Sequence, residues 1–173
     1  MEQQLWIIPA LPLAGFLVNG LLGRRLPKAA VTAVAITSVA LSLLWVLKTV
    51  AGLMPLEAAY VERYFDWIQV GSLRIGCDLM MDRLTAVMTL VVTGVGLLIH
   101  IYAAGYMAHD TGYARFFAYL NLFMFFMLTL VLAANYLLMF VGWEGVGLCS
   151  YLLIGFWFLR KSATNAGNKA FIV

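Results

Sequence analysis

Apolar residues in this chain form long unbroken runs, and polar residues gather in the short segments between them. A helix needs about 20 apolar residues to cross the hydrocarbon core of a bilayer. Five runs reach that length: approximately Leu5 to Gly23, Ala29 to Ala51, Leu84 to Tyr106, Phe116 to Ala134 and Tyr136 to Leu159. The last two are continuous apart from Asn135. As one helix they would extend roughly 66 Å at about 1.5 Å per residue, beyond any bilayer, so the chain must turn back. Ala134-Asn135 is the expected break, because asparagine tolerates the left-handed backbone of a tight turn. Beyond Arg160-Lys161, a polar stretch from Ser162 to Lys169 leads into Ala170 to Val173, which reads as the start of a sixth helix too short to cross. The expectation is an all-α polytopic membrane protein with five complete transmembrane helices and the start of a sixth. Residues 1–173 are then the N-terminal part of one transmembrane domain that continues past Val173.

The segment from about residue 52 to 82 breaks the helical pattern. Ile68 and Val70 alternate with Trp67 and Gln69, Leu73, Ile75 and Cys77 alternate with Arg74 and Gly76, and Gly71-Ser72 lies between. Period-two alternation around a glycine-first pair predicts a β-hairpin, with an irregular loop as the alternative. A lone hairpin is marginal in water, so this one should pack on a neighbouring element.

Composition agrees with the membrane reading: the chain is 64% hydrophobic and 11% charged, with a mean hydropathy of +0.96, more apolar surface than a soluble core absorbs. Met1-Glu2-Gln3-Gln4 lacks the basic start of a signal peptide, so the first run is expected to be retained as a span. The net charge of +3 comes from short basic clusters that flank the apolar runs, a topology signal and not a nucleic-acid surface. Arg24-Arg25-Leu26-Pro27-Lys28, the loop before Arg115, and Arg160-Lys161 fall on one side, which the positive-inside rule makes cytoplasmic. The N-terminus and the 52–82 loop are then outside. Arg63, Arg74 and Arg83 weigh against this, but three consistent inner turns outweigh them. Cys77 lies in a polar loop and Cys149 in an apolar run, too far apart to bridge.

Glu144 is the only charged residue between Arg115 and Arg160, about nine residues into the fifth run and so near mid-membrane. An acidic residue there costs roughly 2.5 to 3.5 kcal/mol on insertion scales, so such residues are rare and usually functional. Phe140, Gly147, Leu148 and Tyr151 share its face by helical spacing, and Gly142, Gly145 and Gly147 would let another helix approach closely. A carboxyl in apolar surroundings is neutral unless a cation stands beside it. A lysine that moves in and out would therefore make it release and take up a proton. Transport against about 150 mV needs about 3.5 kcal/mol, within reach of one buried ion pair. The alternative is a protonated structural glutamate hydrogen-bonded between helices.

In the third run Thr85, Thr89, Thr93, Gly96 and His100 recur at spacings of three and four, one helical face. Polar groups in lipid need internal partners, so this face should point into the bundle. The threonines read as packing. His100, about two turns from the cytoplasmic end, is either a proton relay or a side chain bonded to a backbone carbonyl. Lys169 is a further candidate cation, or else an interfacial anchor. There is no Ser-His-Asp set, phosphate loop or metal-ligand spacing, and Gly145-Val146-Gly147 inside an apolar helix is no dinucleotide turn.

The stretches Arg115-Phe116-Phe117-Ala118-Tyr119-Leu120-Asn121-Leu122-Phe123, Gly142-Trp143-Glu144-Gly145-Val146-Gly147-Leu148-Cys149-Ser150-Tyr151 and Lys169-Ala170-Phe171 carry a resemblance, with His100-Ile101-Tyr102 in support. The chain resembles the L-subunit family of bacterial proton-translocating NADH:quinone oxidoreductase, respiratory complex I, whose mitochondrial counterpart is chain 5. The resemblance is strong from about Asp82 to Val173 and rests on topology alone in the first two spans. It implies an antiporter-like helix bundle with an outer N-terminus and an extracytoplasmic hairpin, in the bacterial inner membrane rather than the mitochondrial one. It implies that Glu144 matches the family's essential fifth-helix glutamate, whose lysine lies on a seventh helix not present here. The partners it implies are the bilayer and other membrane-arm subunits, above all the neighbouring antiporter-like one. NADH, FMN, iron–sulfur clusters and quinone would sit in partner subunits, leaving no cofactor, metal or nucleic acid on this chain. The alternatives are the large subunit of a multisubunit cation/proton antiporter or a membrane-bound hydrogenase, and a non-pumping membrane scaffold.

Overall fold

The computed structural model describes residues 3–71 and 73–172. The elements are α1 (Ile7–Leu22), α2 (Lys28–Leu53), β1 (Tyr60–Val70), β2 (Leu73–Met81), α3 (Arg83–Tyr106), α4 (Tyr113–Leu132), α5 (Tyr136–Ile154) and α6 (Lys161–Ile172). Four of the five expected spans, α2 to α5, are long and apolar enough to cross a membrane. α1 is shorter, at 16 residues. The fifth apolar run is not helical to Leu159: α5 stops at Ile154 with Gly155 as its cap. The next residues leave the helix because Phe156 is buried and Trp157 Nε1 donates to Asp110 Oδ2 at 2.8 Å.

α4 is the hub, packed against α1, α2, α3 and α5. Its buried Phe117, Asn121, Met124, Leu128 and Leu132 lie at spacings of three and four, one inward stripe. The residues turned out from the bundle, among them Leu21, Leu44, Leu84 and Leu98, are exposed and apolar, as a lipid-facing surface requires.

α1 shows how an interior proline is accommodated. Pro12 has no N–H, so the Ile8 carbonyl loses its intrahelical donor. Ser42 on α2 replaces it, its hydroxyl donating to Ile8 O at 2.7 Å with both residues fully buried.

The hairpin forms, and its strands run further than the alternation around residues 67–77 indicates. They pair antiparallel from Tyr60↔Met81 to Val70↔Leu73, with irregularities between Arg63 and Phe65 and between Asp66 and Ile68. Those irregularities explain why strict alternation does not extend along β1. At the turn Gly71 has φ +59°, the left-handed conformation a glycine-first turn needs; its partner Ser72 lies outside the described residues. As expected, the hairpin packs on neighbours. β2 contacts α3, α4 and α5, and Leu79 forms a bridge with Ala133.

Ala134-Asn135 is indeed the break between α4 and α5, but for another reason than the one the sequence suggested. Asn135 has φ −143°, extended and not left-handed, and acts as the N-cap of α5, its Oδ1 accepting from Leu138 N at 2.9 Å. Its Nδ2 donates to Gly76 O at 2.8 Å and Ala134 N donates to Asp78 O at 3.0 Å. The turn is thus set by capping and by strand β2.

β1 also fastens the start of α1. Glu62 is buried and its carboxylate accepts from Gln4 N at 2.8 Å, Leu5 N at 2.7 Å, Tyr60 OH at 2.8 Å and the Tyr64 hydroxyl. Burial pushes this carboxyl up, but the hydrogen bonds, that of Tyr64 foremost, outweigh it and hold it below the ordinary glutamate value.

Two predictions follow from these joints. Ser42→Ala should lower the stability of the detergent-solubilised full-length subunit by about 1 to 3 kcal/mol, the cost of a stranded buried carbonyl. Adding Pro12→Ala should recover most of that loss, because the new N–H reaches Ile8 O. Glu62 stabilises the fold at pH values above its unfolded pKa, and that contribution is lost as pH falls through the lower folded value. Exchange of the Leu5 amide should accordingly accelerate as pH drops below about 4.5, after correction for intrinsic rates. In Glu62→Gln it should be fast throughout and lack this pH-dependent step.

Candidate functional site

α5 has one locked face and one open face. Gly142 and Gly145 are buried against α4: a Cβ on Gly142 would meet the Leu130 backbone nitrogen at 2.6 Å, and one on Gly145 would meet the Phe126 ring at 2.1 Å. The close approach expected of these glycines is therefore realised within the chain. Phe123 to Met127 takes part as packing, with Met124 in the core.

Glu144 lies on the other face. It is exposed, with Phe140, Trp143 and Leu148 exposed around it, and makes no hydrogen bond or ion pair among the described residues. Gly147, one turn on, has nothing within 4 Å of a built Cβ. A carboxyl and a glycine gap thus share an uncovered strip of an apolar helix. Tyr151 lies further along and pairs its ring with Phe171 of α6 at 5.6 Å. Lys169, also on α6, is exposed and does not reach Glu144.

His100 is in a different place. The expected polar face of α3 does point inward: Thr85, Thr89, Thr93 and His100 are all buried. Thr89 and Thr93 donate to the carbonyls of Thr85 and Thr89, at 2.8 Å and 2.6 Å, the packing role read from the sequence. His100 Nδ1 lies 2.7 Å from Gly96 O and Nε2 lies 2.8 Å from Asn121 Oδ1. Asn121 Nδ2 donates to Ser38 Oγ at 3.0 Å, and Ser38 donates to Ala35 O at 2.9 Å. Gly15 of α1 closes over this line, since a Cβ there would meet Asn121 Nδ2 at 2.0 Å and Ser38 Oγ at 2.5 Å.

The chemistry of that line follows from donors and acceptors. Gly96 O only accepts, so Nδ1 carries a proton in either charge state of the ring. Nε2 faces an amide that presents oxygen to a protonated nitrogen or, turned over, its NH2 group to a bare one. The orientation of Asn121, and with it the direction of the Ser38 hydroxyl, is therefore tied to the protonation of His100. Asn121 and Ser38 went unread in the sequence as partners of His100. An asparagine alone in the apolar run of α4 is a signal, but its partners lie 21 and 83 positions away. α4 stands between α3 and α5, packing on both, and keeps His100 apart from Glu144.

The family description "NADH-Ubiquinone oxidoreductase (complex I), chain 5 N-terminus" matches residues 67–117, and "NADH:quinone oxidoreductase/Mrp antiporter, TM" matches residues 133–173. NADH-quinone oxidoreductase subunit L of Mycobacterium tuberculosis H37Rv is 46% identical over 97% of this chain and 27% of its own length. Subunit L of Neisseria meningitidis serogroup B is 45% identical over 99% of the chain and 26% of its own length. The chain belongs to the subunit L family. It spans about a quarter of the length of these relatives and, with its apolar helices, is a multi-pass membrane protein. The fold recurs in a chain of the membrane-bound sulfane sulfur reductase, an archaeal respiratory membrane complex, with a TM-score of 0.74 and 22% identity over 99% of this chain and 25% of that one.

In a subunit L chain the two glycine environments of α5 separate by mutation. Gly142→Ala should push α4 and α5 apart and cost about 1 to 3 kcal/mol, as overpacking does, seen as a lower unfolding temperature of the purified subunit. Gly147→Ala should leave the α4–α5 interface unstrained, so equal losses for both variants would show that the face of Glu144 is not open.

Proposed function

We propose that this chain is part of the proton-translocating membrane-arm subunit of NADH:quinone oxidoreductase, and that Glu144 is its proton carrier. The observation that carries the reading is the carboxyl itself, placed with Gly147 on the uncovered face of α5 while the opposite face is locked to α4. A carboxyl at membrane depth needs a partner, and the described residues supply none. The partner is a lysine on a further helix that enters the gap at Gly147. When it is close, Glu144 ionises; when it withdraws, Glu144 takes up a proton. Lys169 has no part in that pair. His100 relays its charge state through Asn121 and Ser38 inside the bundle.

On this reading five helices cross the bacterial inner membrane, with α1 completing its span together with Leu5 and Trp6, and the hairpin and N-terminus are periplasmic. NADH, FMN, the iron–sulfur clusters and quinone belong to partner subunits, and this chain contributes no redox centre. Its neighbours are other membrane-arm subunits, the adjacent antiporter-like one foremost. The fold is shared with a sulfane sulfur reductase complex, so the helix plan does not choose among respiratory and antiporter complexes. The identity to subunit L, sustained over nearly the whole chain, favours complex I.

Glu144→Gln in the full-length subunit should leave the complex assembled and cut proton pumping per NADH oxidised by at least half in sealed vesicles. Undiminished pumping by a fully assembled complex would sink the proposal.

A further inference from the structure

At the end of the bundle opposite the hairpin, the turn after α1, the loop before α4 and the segment after α5 surround a cavity of about 660 Å³. Arg24, Lys28, Arg115 and Arg160 line it, and Asp110 is the one acidic residue in that lining among the described residues. Asp110 feels the charges of Arg115 and Lys28 but forms no ion pair with them, and one carboxylate cannot balance four cations. Its Oδ1 accepts from Gly112 N at 2.6 Å and its Oδ2 from Trp157 Nε1 at 2.8 Å. Lys28 Nζ is spent on carbonyls, that of Ala108 at 2.6 Å and that of Asp110 at 3.4 Å. Arg115 donates to Phe156 O at 3.4 Å and lies over the rings of Phe156 and Phe158. Arg160 lies over Trp157. None of these cations is in an ion pair among the described residues, so positive charge in the lining exceeds negative.

The helix termini add to this field. α2 begins at Lys28 and α4 at Tyr113, and neither N-terminus receives a side-chain cap. Lys28, Gly112 and Tyr113 are all in the cavity lining, so the positive dipole ends of both helices lie at its edge. The inner wall is apolar: Val31, Tyr113 and Phe156 are buried there as part of one cluster. Topology accounts for basic residues in these loops but does not require that they share a cavity with uncapped helix ends and an apolar wall.

We propose that this cavity holds the phosphate headgroup of an anionic phospholipid, with the acyl chains against the apolar wall. Basic pockets between transmembrane helices have the right chemistry for such headgroups, and the guanidinium fork suits phosphate oxygens. Free inorganic phosphate shares the headgroup chemistry but has nothing for the apolar wall to hold. The inference does not depend on Glu144 or on any role in pumping.

The test uses the assembled complex with full-length subunit, delipidated in neutral detergent and titrated with micelles carrying dioleoylphosphatidylglycerol or dioleoylphosphatidylcholine, with retained lipid read by native mass spectrometry of this subunit. Wild type should retain phosphatidylglycerol at least tenfold better than phosphatidylcholine, and millimolar inorganic phosphate should not displace it. Arg24→Gln with Arg160→Gln removes two exposed charges that bond no backbone carbonyl, so assembly should persist while retention falls about tenfold. Arg25→Gln, in the same turn but outside the lining, should retain lipid as wild type does. Arg115→Gln is the second variant, expected to lower retention in the same direction. Equal retention of the two lipids, displacement by inorganic phosphate, or equal losses in Arg25→Gln and the double variant would each overturn the proposal. So would no lipid in wild type, which would mean that protein fills the cavity.

Discussion

One constraint governs most of this bundle: inside hydrocarbon a polar group has no water to fall back on and must find its partner within protein. Ser42 hydrogen-bonds the carbonyl that Pro12 leaves without a donor. Thr89 and Thr93 fold back onto their own helix. His100, Asn121 and Ser38 complete one another across three helices. The first and last of these tie two or more helices at a fixed register, so polar satisfaction helps position the helices alongside apolar packing. Asn19 Oδ1 and Thr49 Oγ1 are buried without a partner among the described residues, but Glu144 is the departure that carries an ionisable group, and that is what makes it a functional candidate.

Apolar packing decides which faces remain available. α4 is covered by α1, α2, α3 and α5, and the close contacts at Gly142 and Gly145 fix the rotation of α5 about its axis. That rotation places Glu144 on the far side, away from the His100 line. The two polar sites are therefore separated by a packed helix, one sealed within the bundle and one turned outward. The two ends of the bundle differ as sharply. At the hairpin end a single carboxylate, Glu62, gathers four donors and joins strand to helix. At the other end cations converge on a cavity without ion pairing.

The reach of the sequence reading follows from the range of the interactions involved. Apolar runs, the polar stripe of α3, the hairpin turn and the break at Asn135 are all legible, because each is a local pattern of period two, period 3.6 or composition. The extent of α5 is not, because Phe156 and Trp157 leave the helix for partners far back in sequence, Phe116 and Arg115 in α4 and Asp110 in the loop before it. Nor is the conformation of Asn135 legible, since extended or left-handed backbone there depends on whether Gly76 and Leu138 are at hand to bond its side chain.

By itself, then, the sequence determined that this is a helical membrane protein, where it turns, and that Glu144 and His100 are its unusual polar residues. Hydropathy and burial cost are properties of single residues and short windows, and need no knowledge of neighbours. Only the tertiary structure decided that His100 is sealed in a line with Asn121 and Ser38, that Lys169 does not meet Glu144, and that Arg24, Lys28, Arg115 and Arg160 surround one cavity. Those facts depend on how helices distant in sequence are rotated and spaced against α4, which is settled by close packing at a few glycines and by hydrogen bonds between distant residues.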